Sequence, residues 1–162
     1  MSKYYLLGIL LISTISFSNE LIVDYFQMVG QWECDEIKIK NELFSMVSIS
    51  KSELKETGEY IVSVSNFYDY FTKGTMDVTL IIKGTWSLNN NTLVIKNDSV
   101  KVIHLDSKLI VEKPLSDSEL KVVLEKGYPI EDDNISEIIG ISEGKATFLD
   151  LKGGESNCYR KL

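Results

Sequence analysis

Gly30-Gln31-Trp32-Glu33-Cys34, read together with Cys158-Tyr159-Arg160 near the other end of the chain, decides the fold. The sequence has two cysteines. If they bond, and the strands carrying them run antiparallel side by side, position 34 faces position 158 and position 32 faces position 160. Trp32 then lies beside Arg160, an indole under a guanidinium, one pleat from a disulfide. Such a seam joins the first and last strands of a sheet and closes it into a barrel.

The 162 residues, 44% hydrophobic and 25% charged, make one ordinary domain with enough length for a real core. Residues 1–18 carry one lysine (Lys3), an apolar run from Tyr4 to Ile12, and a small-x-small ending at Ser16-Phe17-Ser18. This pattern predicts a secretory signal cleaved after Ser18, leaving one domain over residues 19–162 and a secreted or periplasmic protein. The alternative is an uncleaved anchor, but the run is far short of the roughly 20 residues of a spanning helix, so no stable membrane insertion is expected. Losing Lys3 takes the formal charge from −7 to −8. With no basic run or face, nucleic acid and anionic membranes are poor partners. An oxidising destination favours a Cys34–Cys158 disulfide over two buried thiols.

Leu21, Ile22, Tyr25, Phe26 and Val29 have near-helical spacing, which predicts one or two helical turns leading into the first strand. Between Val29 and Lys40 the apolar face switches from even positions (Trp32, Cys34) to odd ones (Ile37, Ile39), so a bulge or bend is expected at Asp35 and Glu36. A second strand is expected within residues 43–56. After the turn at Glu56-Thr57-Gly58-Glu59, a third follows with Tyr60, Val62, Val64, Tyr68 and Tyr70 on its inner face. Met76, Val78, Leu80, Ile82, Trp86 and Leu88 alternate with polar residues in a long fourth strand, which Gly84 could bend. Residues 92–105 return as a fifth strand, interrupted at Asn97-Asp98. Ser116 or Ser118 then caps a helix running to about Lys126, with Leu120, Val123 and Leu124 on one side. Strands at residues 135–142, 145–151 and 156–161 complete the chain. The prediction is an all-β, eight-stranded antiparallel up-and-down barrel with a short helical lead-in and one helix between strands five and six. An interior of that size is filled by side chains or by one small ligand.

With these residues in place, the chain resembles the lipocalin-like, or calycin, group of small exported barrels, including a bacterial set of such domains. Lipocalins carry Gly-x-Trp on the first strand, matched by Gly30-Gln31-Trp32, and a late basic residue packed on that tryptophan, matched by Arg160. The bacterial set has a turn before an aromatic (Thr57-Gly58-Glu59-Tyr60) and a second Gly-x-Trp (Gly84-Thr85-Trp86). The chain departs from lipocalins proper in placing its helix before the sixth strand, and Tyr68-Asp69-Tyr70 only echoes their middle Thr-Asp-Tyr signature. The resemblance implies a ligand-holding barrel with Gly30, Trp32 and Arg160 as structural residues.

Catalytic chemistry finds little support in the sequence. His104 is the single histidine and neighbours Ile103 and Leu105 in the fifth strand, sharing a face with Val100 and Val102. A base or metal ligand would need partners, and none can be assigned by spacing. The one histidine cannot be assigned a triad role from spacing, and Gly153-Gly154 is followed by no helix signal, so no phosphate-binding glycine loop is read here. Glu131-Asp132-Asp133-Asn134 lacks the spacing and glycine of an EF-hand loop and reads as a solvated acidic loop. No enzyme, metal or cofactor is expected. Tyr60, Tyr68, Tyr70, Met76 and Trp86 project to the expected inner face and would line a cavity for a small hydrophobic molecule. The same residues would serve a filled barrel, which would act instead as a protein-binding module of the periplasmic inhibitor or immunity type.

Overall fold

The structure, a computed structural model, describes residues 21–110, 114–130, 133–150 and 154–161; the predicted signal, residues 1–18, lies outside them. The order is α1 (Tyr25–Met28), β1 (Gly30–Cys34), β2 (Ile37–Lys40), β3 (Ser45–Leu54), β4 (Glu59–Asp69), β5 (Thr75–Asn89), β6 (Thr92–Ser107), α2 (Asp117–Gly127), β7 (Asn134–Ser142), β8 (Lys145–Asp150) and β9 (Glu155–Lys161). From β2 to β9 each strand pairs antiparallel with the next, and β9 returns to β1. Because β1 and β2 both pair with β3, they are two halves of one bent strand, and the sheet closes as a ring of eight.

The closing seam has the register that the two end motifs imply. Trp32 faces Arg160 and Cys34 faces Cys158, whose sulfurs are bonded. The Arg160 guanidinium lies 4.9 Å from the Trp32 ring centre and donates to the Gln27 carbonyl. Trp32 Nε1 donates to the Met28 carbonyl at 2.8 Å, so the buried indole leaves no donor unpaired. Gly30 has φ +135°, a conformation that strains any side chain.

The expected bend at Asp35 and Glu36 is a bulge. Between the pairs Glu33–Lys51 and Ile37–Ser48, three residues of the bent strand oppose two of β3. Two further bulges interrupt β6. Gly84 faces Asn97 while Lys83 faces Ser99, leaving Asp98 extra, as the sequence suggested; Leu80 faces Val102 while Thr79 faces His104, leaving Ile103 extra. Each extra residue shifts the inward parity by one. The inner face therefore runs Leu93, Ile95, Asn97, then Val100 and Val102, then Leu105. This corrects the placement of His104: it does not share the face of Val102 but is exposed beyond the bulge.

Val78, Leu80, Ile82, Trp86, Val102, Ile138 and Ala146 form the core with residues of the seam. α1 closes one end. A single helical turn has no stability alone, and this one is held by a capping box between Asp24 and Gln27, by buried Val23 and Met28, and by the Tyr25 ring stacked 4.4 Å from that of Trp86. Tyr25 and Trp86 also donate to the carbonyls of Glu56 and Lys55, tying α1 to the β3–β4 turn.

β6 pairs with β7 over residues 92–95 and 134–137, and farther along α2 takes that flank. Glu125 Oε1 accepts from the Val102 amide at 2.8 Å, satisfying a donor that no strand reaches. Leu120 and Leu124 of α2, with Tyr128 just beyond it, pack on the core; Val123, expected on the same side, is exposed. Ser116 is the N-cap and Glu119 completes the capping box.

Candidate ligand site inside the barrel

Inward positions of the ring are unequal in size. On β4 and β5 they include Tyr60, Val62, Val64, Leu80, Ile82 and Trp86, whereas on β3, β7 and β9 they include Ser50, Ser52, Ser136 and Ser156. Serines cannot fill the space that leucines would occupy, and a cavity of about 250 Å³ remains. Its walls come from every strand of the ring except β5: Trp32 and Cys34; Ser50, Ser52 and Leu54; Tyr60 and Val62; Leu93, Ile95 and Asn97; Asn134 and Ser136; Phe148; Ser156 and Cys158. Met28 lies at the α1 end, and Tyr128, just past α2, faces the same space. None of the described lining residues carries a charged side chain.

The polar features of the lining are organised around one row. Tyr60, Gly84 and Asn97 are consecutive cross-strand neighbours on the inner face. A Cβ on Gly84 would come within 1.9 Å of the Lys96 carbonyl oxygen, so the Asp98 bulge requires a glycine opposite it. With no side chain between them, Tyr60 and Asn97 meet, and the Tyr60 hydroxyl donates to Asn97 Oδ1 at 2.5 Å. The other amide atom, Asn97 Nδ2, is buried with no partner among the described residues. Burial, and then the neighbouring Tyr128 hydroxyl and Asp98 carboxylate, push the Tyr60 hydroxyl well above the usual tyrosine range. Burial raises Tyr128 as well, so both phenols are neutral donors near pH 7.

The five residues expected to line a ligand cavity are not all brought together. Tyr60 lines it. Trp86 is buried beneath Tyr25, and Met76 is buried farther along β5. Tyr68 and Tyr70 stand toward the other end of β4, with ring centres 5.9 Å apart, and Phe44 lies 6.2 and 5.8 Å from them. Asn97, Tyr128 and the inward serines were missed by sequence reasoning. The serines had a legible signal: Ser48, Ser50 and Ser52 alternate on a strand facing Asn66, Val64 and Val62. Tyr128 had none, because its position depends on how α2 docks.

Residues 28–122 match the family model of the lipocalin-like domain, a stretch that begins at the last residue of α1, spans the first six strands and half of α2, and stops short of the strands that close the ring. No curated protein matches the chain significantly. A match over more than half the sequence, joined to a ring of eight antiparallel strands, establishes that this chain belongs to the lipocalin-like domain family.

Proposed function

We propose that this protein is an exported, non-catalytic binding protein that carries a small, largely apolar molecule in the barrel cavity. The observation that carries the reading is the cavity itself, walled by seven of the eight ring strands and, among the described residues, free of charged side chains. Apolar walls with a few converging polar groups are the usual make-up of small-molecule sites. At about 30 Å³ per water-sized group, the 250 Å³ holds roughly eight non-hydrogen atoms. Export is supported by the signal pattern of residues 1–18 and by the Cys34–Cys158 bond, since disulfides persist in oxidising compartments. No helix of the described residues is long and apolar enough to cross a membrane.

Native mass spectrometry of the mature protein from its own host tests this. An added small-molecule mass that disappears on denaturation, and that is absent from a Ser52→Leu, Ser136→Leu variant whose barrel is folded but filled, is the expected result. A bare mass after gentle purification overturns the carrier reading and favours a protein-binding barrel.

A further inference from the structure

We propose that Asn97 makes the cavity selective for a neutral ligand bearing a hydrogen-bond acceptor, such as a ketone, ester or amide carbonyl, whose oxygen accepts from Asn97 Nδ2. This deepens the carrier reading and rests on it. Asn97 is only 6% exposed, and its side chain belongs to the inward row that lines the cavity. The Tyr60 hydroxyl occupies the amide oxygen and Nδ2 is buried with no partner among the described residues, so what the amide has left to offer a ligand is a donor and not an acceptor. A buried amide proton without a partner is costly, and a ligand that supplies the acceptor recovers that cost on binding.

The charge of the ligand follows from the same surroundings. Among the described residues no Lys, Arg or His lines the cavity, and Asp98 lies close enough to raise the Tyr60 hydroxyl. A carboxylate would lose its hydration there without gaining a cation. A pure hydrocarbon would leave Nδ2 unpaired. A neutral carbonyl avoids both losses.

Two isosteric probes of suitable size separate these cases: cyclohexanone and methylenecyclohexane, which differ by oxygen against a methylene, with cyclohexanecarboxylate as the anion. Calorimetric titration into the mature protein is expected to rank cyclohexanone ahead of methylenecyclohexane by on the order of tenfold, with the carboxylate weakest. Asn97→Leu should bring the two neutral probes to equal affinity while methylenecyclohexane still binds. If the variant does not fold, the wild-type protein provides a second readout: the side-chain amide resonances of Asn97 should move with cyclohexanone and not with methylenecyclohexane. Equal binding of the neutral probes by the wild type, or amide resonances that ignore the ketone, overturns the role of Asn97 and leaves the carrier reading standing. Failure of all three probes to bind overturns both.

Discussion

Trp32 and Arg160 show how much of this barrel rests on single side chains. The indole is packed among Met28, Leu54 and Cys158 and has its one donor satisfied, so truncation removes apolar contact and strands the Met28 carbonyl. Trp32→Ala should cost about 3 to 5 kcal/mol, read as a lower denaturant midpoint; a near-neutral result would show that the seam does not depend on it. Arg160→Ala removes the stack and the bond to Gln27 and should cost less, about 1 to 3 kcal/mol. Gly84 is a different kind of dependence. A methyl group there meets the Lys96 carbonyl oxygen and cannot be accommodated by a rotamer change. Gly84→Ala should therefore destabilise the fold by about 1 to 3 kcal/mol and also displace Asn97, so that ligand affinity falls together with the midpoint.

Among the elements, β6 joins the least evenly to its neighbours. It pairs with β5 along nearly its whole length but with β7 through four residue pairs. The β1–β9 seam is equally short, yet it carries the disulfide, the Trp32–Arg160 stack and Glu33, which pairs with Lys161 at 2.7 Å and Lys51 at 3.7 Å. The β6–β7 seam should thus open before any other. In native-state hydrogen exchange, amides bonded between residues 92–95 and 134–137 are expected to exchange faster than those of β4 and β5; equal protection would refute it. α2 supports this flank from outside, and its start depends on Ser116. Ser116→Ala should cost about 1 kcal/mol and loosen the contact between Glu125 and the Val102 amide, visible as faster exchange at Val102.

For the whole molecule, the disulfide spans 124 residues and so constrains almost the entire unfolded chain. In the chain-entropy view this contributes about 5 kcal/mol. Denaturation of the Cys34→Ser, Cys158→Ser variant should show a loss of that order, and an unchanged midpoint would mean that the ring closes without it. Alkaline pH provides a second global test. Burial raises Tyr60, Tyr68, Tyr70 and Tyr128 above their ordinary value near 10. In the unfolded chain these phenols ionise near pH 10, while in the folded barrel they stay neutral to higher pH. Their stabilising contribution is whole below pH 10 and declines as pH rises toward their folded values. Tyrosinate absorbance from these four should therefore develop late and together with unfolding; their smooth titration near pH 10 in a folded protein would contradict their burial.

The sequence by itself determined the ring. Period-two alternation, turn residues and two end motifs are local or pairwise signals, and they sufficed for the strand order, the bend at Asp35 and Glu36, the capped helix, the Trp32–Arg160 pairing and the seam cysteines. Only the tertiary structure decided what lies inside. Whether a strand keeps its inward parity depends on bulges, and the extra residue at Ile103 that turned His104 outward has no signature of its own. The cavity is a difference between side-chain volumes on strands far apart in sequence, serines of β3, β7 and β9 against the large residues of β4 and β5. The pairing of Tyr60 with Asn97 needs a glycine between them and a bulge opposite that glycine. Alternation assigns a residue to a face, but only the closed ring determines which inward residues meet.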